Sequence, residues 1–190
     1  MITVNDIRNE IKTLSKLPKF DKMLELSALL TEYFEPRGIK PIIVGGLSVE
    51  IYTRGHYTTH DIDLIADGWD QFNDLLSALG FEKETRVWYH KELELAIEIP
   101  DNYLEGDMNK IVELLLPSNR KVFVIGVEDL IIHRLESAIV SHPHKPMLNQ
   151  DYDWAERMFR IHANRVDMAY LLKSAKDVKV DRYINSWIKG

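Results

Sequence analysis

Cysteine is missing from all 190 residues, which excludes disulfides, a thiolate nucleophile and any zinc site built on cysteine. Long apolar runs are missing too. None approaches a membrane span, and the opening Met1-Ile2-Thr3-Val4-Asn5-Asp6-Ile7 carries no apolar signal core. These absences give the expectation of a cytoplasmic protein with no membrane partner. A basic surplus is also lacking, with 24 Lys+Arg against 30 Asp+Glu and a formal charge of −6. General nucleic-acid affinity rests mainly on neutralising phosphates with surplus Lys and Arg, so strong general nucleic-acid binding is not expected. Trp69, Trp88, Trp154 and Trp187 are scattered, with no interleaved basic run of the kind that stacks bases. No internal repeat or low-complexity segment interrupts the chain. What is present, 45% hydrophobic and 28% charged residues, is the composition of a folded protein, and the length suits one compact unit of sheet and helices.

Met23, Leu26, Leu30 and Tyr33 recur at three- and four-residue steps, which predicts helix through the first 38 residues until Pro36 and Gly38 stop it. Pro41-Ile42-Ile43-Val44-Gly45-Gly46 reads as a buried strand running into a tight turn, followed by a short helix over 47–52. Residues 61–66 begin with strand alternation, and 70–79 form an amphipathic helix closed by Gly80. Residues 86–99 read as a strand pair or one long strand. Its second half puts Leu93, Leu95, Ile97 and Ile99 on one face and Glu94, Ala96 and Glu98 on the other. Strands over 111–116 and 121–125 flank a turn at Pro117-Ser118-Asn119. From Gly126 the chain turns helical, with Glu128 and Asp129 complementing the dipole of a first helix and further helices over 153–161, 166–176 and 181–188. The expected fold class is α+β, a mixed sheet of about five strands flanked by helices. Residues 1–126 form the core with the N-terminal helices, and 127–190 a helical region packed on it.

The chemistry concentrates between Val44 and Leu64. On a strand, Asp61 and Asp63 point to one face with Cα atoms about 6.5–7 Å apart, while Ile62 and Leu64 face the core. Like charges that close repel unless a cation lies between them, and hard ions such as Mg²⁺ take oxygen ligands from carboxylates and phosphates. Gly45 and Gly46 end a strand and open a helix, so backbone N–H groups can face an anion without Cβ interference; Ser48 adds a hydroxyl. A phosphate-holding turn upstream of a metal-holding pair is a functional combination. Glu94 and Glu98 are the candidates for a third carboxylate.

The order strand, Gly-Gly-x-Ser, helix, Asp-x-Asp resembles the minimal nucleotidyltransferases of the DNA polymerase β superfamily. Within it the chain looks most like the short bacterial and archaeal nucleotidyltransferase-like group, which includes antitoxins and toxins of two-gene systems. Thr59 stands two residues before the first Asp, as a Thr commonly does there, and Ala96-Ile97-Glu98-Ile99-Pro100 resembles the strand that bears the third acid. The likeness extends through Gly126–Leu135 and Val166–Leu171. It implies that Asp61, Asp63 and Glu98 bind Mg²⁺ or Mn²⁺ and carry catalysis. It also implies that Gly45, Gly46, Ser48 and Thr59 hold the phosphates of an NTP, with ATP the expected donor. The acceptor is a protein, an RNA end or a small molecule. Three departures stand out: Tyr57 where many relatives carry Arg, a longer interval from Gly46 to Asp61, and Glu as third acid. The first leaves the positive charge near the phosphates unassigned. The alternative function is a non-catalytic, antitoxin-like module of the same fold with a toxin-like protein partner.

Arg134 shares four-residue spacing with Leu130 and Ala138, so it lies on or beside an apolar helix face and, if buried, needs a carboxylate or phosphate partner. It either reaches the acidic site, in a supporting or phosphate-binding role, which is the expectation, or snorkels to the helix edge. Arg54 is an alternative phosphate contact. His142-Pro143-His144 reads as a polar loop rather than a metal site, and His56 and His60 as turn residues. Asp151-Tyr152-Asp153 repeats the Asp-x-Asp spelling, but Asp153 is expected to cap a helix. A phosphohydrolase is disfavoured because no activating His is placed near the acids.

Overall fold

A computed structural model describes residues 1–189. The N-terminal helical region is two helices, α1 (Val4–Leu14) and α2 (Lys19–Phe34). Thr3 and Asp6 cap α1 reciprocally, and Pro18 stands at the head of α2. A proline cannot continue a helix but suits its start, so it divides the region. Met23, Leu26 and Leu30 are buried as their spacing requires, and a tight turn over Glu35–Arg37 ends the region at Gly38, where φ is +81°.

The short strand β1 (Ile42–Ile43) runs directly into α3 (Gly45–Tyr52), so both glycines lie in the first turn of the helix rather than before it. Next come β2 (Asp61–Ile65), α4 (Trp69–Ala78), β3 (Glu82–Glu84), β4 (Val87–His90) and β5 (Leu95–Glu98). The stretch 86–99 is thus a hairpin, and Glu94 falls in its turn at φ +53° rather than on the strand. A second hairpin, β6 (Val112–Leu115) and β7 (Lys121–Val124), precedes α5 (Val127–Ser141), α6 (Gln150–His162), α7 (Met168–Asp177) and α8 (Asp181–Lys189).

The seven strands form one mixed sheet in the order β3-β4-β5-β2-β1-β7-β6. This exceeds the expected count by two: 86–99 supplies two strands, and β3, Glu-Lys-Glu and exposed throughout, has no buried face to betray it. The sheet centre is what positions the chemistry: β2 pairs parallel with β5 and antiparallel with β1. One apolar cluster runs from Ile7 of α1 through the sheet to Trp187 of α8. Among the described residues no helix is long and apolar enough to cross a membrane. The α+β architecture is the expected one.

Candidate active site

Alternation in β2 buries Ile62 and Leu64 and leaves Asp61 exposed and Asp63 half-buried on the opposite face. The parallel register sets Asp63 level with Glu98 and Asp61 level with Ala96, so Glu98 belongs to the same face as the aspartates. Exposed Glu94 does not. Asp61, Asp63, Gly45, Gly46, Thr59 and Arg134 line one cavity of about 570 Å³, with Tyr57, Asp101, Tyr103, Glu105, His133 and Ser137 on its other walls.

The two glycines are explained by their neighbours. Gly45 has φ +57°, and a Cβ there would stand 1.9 Å from Asp63 Oδ2; a Cβ on Gly46 would stand 2.5 Å from Thr59 Oγ1. The start of α3 is therefore pressed onto the acid-bearing strand. Gly46 N–H donates to Asp63 Oδ2 at 3.3 Å, and the Val44 amide donates to the Asp63 carbonyl at 3.0 Å. Thr59 Oγ1 donates to Asp61 Oδ1 at 2.6 Å. Ser48 is fully buried and donates its hydroxyl to the Gly45 carbonyl at 2.8 Å, so it braces the helix start and does not reach the cavity.

Arg134 reaches the cavity from α5, its guanidinium ion-paired with Asp151 of α6 at 2.8 Å. Asp151, set aside with Asp153 as a chance repeat of the Asp-x-Asp spelling, is thus the carboxylate partner that Arg134 requires. The cap of α6 is Asn149, whose side chain accepts the Asp151 amide at 2.7 Å; Asp153 lies inside the first turn, since the helix starts earlier than expected. Tyr57 takes the wall beside Gly46, edge-on to Trp154 at 5.1 Å between ring centroids. Arg54 lies on an exposed turn away from the cavity lining. His60 is exposed and meets Lys19, and His142 bonds Asn149 at 3.0 Å in its loop.

Asp63 carries the electrostatic signature. Burial first, and then the charge of Asp61 beside it, push its carboxyl up to about 6, with Glu98 adding to the push and the Gly46 amide and Arg134 opposing it. A carboxyl group that burial and the neighbouring Asp61 hold toward its neutral form fits a hard divalent cation of the kind held by one or two carboxylates, phosphate oxygens and water. Among the described residues no three His, Asp or Glu side chains come together as a metal-binding group. The fit is that of a pair, with Glu98 adjacent on the same face.

No family model matches the chain, and no curated protein matches it. Solved structures do. An antigenic nucleotidyltransferase-like protein from Paracoccidioides brasiliensis aligns with a TM-score of 0.57 and 15% identity over 89% of this chain and 93% of its own. The antibiotic-resistance factor ANT(2'')-Ia aligns with a TM-score of 0.52 and 15% identity over 84% of this chain and 90% of its own. At such identities the likeness speaks for the fold, which is nucleotidyltransferase-like.

Proposed function

We propose that the protein is a metal-dependent nucleotidyltransferase that moves a nucleoside monophosphate from a nucleoside triphosphate, ATP first among them, to an acceptor hydroxyl. The observation that carries this reading is the seating of a Gly-Gly helix start on the Asp63 carboxylate at the wall of a cavity of about 570 Å³. In the proposed site Asp61 and Asp63 hold Mg²⁺ or Mn²⁺, which when bound neutralises the triphosphate and lowers the pKa of the attacking hydroxyl. The acceptor oxygen attacks the α-phosphorus in line; the new P–O bond forms as the bond to the bridging oxygen breaks, and pyrophosphate leaves. Glu98, level with Asp63, takes the hydroxyl proton. Gly45 and Gly46 let the start of α3 press onto the acid-bearing strand at the cavity wall, where the triphosphate would lie beside the acids, and Thr59 keeps Asp61 oriented. Arg134, held by Asp151, faces the phosphates and supplies the positive charge that Tyr57 does not. The contribution of these groups is orientation and charge placement rather than covalent chemistry.

Calorimetry with Mg²⁺ and each of the NTPs tests the proposal. Binding by the natural chain and its loss in Asp61→Ala/Asp63→Ala are expected, and either single change should slow transfer at least about 100-fold, or about 3 kcal/mol. Absence of nucleotide heat with every NTP would overturn it. A second reading, a non-catalytic antitoxin-like module, is favoured by Tyr57 in the cavity wall and by the lack of a three-carboxylate group among the described residues. It expects a stable complex with a toxin-like protein that survives replacement of Asp61, Asp63 and Glu98 together.

A further inference from the structure

Helix α3 carries a charge that the proposed chemistry does not use. Glu50 is 6% exposed and sits among Leu47 and Val49, both fully buried. Burial raises the pKa of its carboxyl, against the nearby charges of Lys19 and His60. An apolar side chain would fill the same space without the cost of desolvating an acid. Its Oε2 accepts a hydrogen bond from the Thr59 backbone N–H at 3.2 Å. Among the described residues, Thr59 is the only member of 57–60 whose backbone amide donates a hydrogen bond. Through its amides, the backbone of residues 57–60 is therefore held at one point. That same residue aims its hydroxyl at Asp61 Oδ1, and Gly46 lacks a Cβ where its Oγ1 lies.

We infer that Glu50 is a positioning residue: from within α3 it fixes the backbone of Thr59, and the Thr59 hydroxyl in turn fixes Asp61 for a divalent cation. Glu50 touches neither cation nor nucleotide; it acts through Thr59. Helix α3 then holds both acids, Asp63 through its first turn and Asp61 through its last. The inference rests on the transferase reading only in naming the cation as what Asp61 is oriented for.

The test measures Mn²⁺ affinity of the full chain by the paramagnetic signal of free Mn²⁺, for the natural protein, Glu50→Gln, Glu50→Ala, Thr59→Ala and the Glu50→Ala/Thr59→Ala double variant. Glutamine keeps a carbonyl oxygen within reach of the Thr59 amide, so Glu50→Gln should bind within about threefold of the natural chain, whereas Glu50→Ala should weaken binding about 10–100-fold, as loss of groups that orient metal ligands does. The double variant should be no weaker than the worse single one, because both lie on one path. Undiminished affinity in folded Glu50→Ala, or additive losses in the double variant, would overturn the inference. Glu50→Met fills the volume without an acceptor and replaces Glu50→Ala if that chain does not fold. If the natural chain binds no Mn²⁺, the transferase reading fails by itself, and amide exchange at Thr59 decides the positioning claim. Exchange that speeds up in Glu50→Ala but not in Glu50→Gln, at equal global stability, upholds it; exchange equal in all three refutes it.

Discussion

Asp63 is the residue at which stability and chemistry pull apart. Its carboxyl titrates near 3.8 in an unfolded chain and is pushed up to about 6 in the fold, by burial first and by Asp61 second. Between those values the native state keeps a proton that the unfolded state has released. The neutral side chain thus favours the fold fully below pH about 4, and that contribution is lost as the pH rises through about 6, a change of about 2–3 kcal/mol. Asp63→Asn removes the charge and keeps an oxygen for the Gly46 amide. It should therefore unfold at higher urea than the natural chain at pH 7.5, by about 1–2 kcal/mol, with the gain fading toward pH 4. A variant that is less stable at pH 7.5 would show that the site is not electrostatically strained. Mg²⁺ should give the natural chain a comparable gain at pH 7.5 and Asp63→Asn little, since a ligand stabilises only the state that binds it.

At the scale of elements, the contact of α3 with β2 rests on two missing Cβ atoms. Gly45→Ala introduces a left-handed alanine with its Cβ 1.9 Å from Asp63 Oδ2, so the helix start and the strand must separate. Gly55 is also left-handed, at φ +78°, but nothing lies within 4 Å of its missing Cβ. Gly55→Ala should cost about 1 kcal/mol from backbone strain alone, and Gly45→Ala about 2–4 kcal/mol together with its nucleotide binding. Equal losses in urea titrations of the two variants would deny the close packing. The elements that sequence alone reveals are those with one wet and one dry face: β5 alternates throughout, β2 alternates from Asp61 to Leu64, and the inner faces of α2 and α4 keep helical spacing. Strand β3 is an edge whose side chains are all exposed, so it leaves no periodic trace. Glu94 continues the spelling of β5 into a turn, and only the backbone at φ +53° separates it from Glu98. The partnerships of Glu50 with Thr59 and of Arg134 with Asp151 join different elements, and spacing within one element cannot report them. Glu50 did leave a signal, a lone acid in an otherwise apolar helical run.

On the scale of the whole molecule, the cavity is closed by chain from both halves of the sequence. Leu130, His133, Arg134 and Ser137 of α5 face Asp61 and Asp63 across it, and the loop bearing Asp101, Tyr103 and Glu105 makes a further wall. That loop is itself held by α5: Asp129 accepts the Asp107 amide at 3.0 Å, and a Cβ on Gly106 would stand 2.5 Å from Asp129 Oδ2. Asp129 also accepts the Tyr170 hydroxyl at 2.6 Å, and Glu128 the Asp167 amide at 2.7 Å, so the start of α5 ties the loop to α7. Leu130, Ile131, Leu135 and Ala138 are buried, which makes α5 part of the apolar cluster rather than an appendage. A chain ending at residue 126 therefore loses one wall of the cavity, its arginine and a share of the core at once. Such a fragment should expose apolar surface, bind a hydrophobic dye and unfold without a cooperative transition. Supplying residues 127–190 as a separate peptide should restore cooperativity, because the lost surface is complementary and contiguous. A fragment 1–126 that melts cooperatively and binds Mg²⁺-nucleotide by itself would instead make the sheet a self-sufficient domain, with α5 to α8 only covering it.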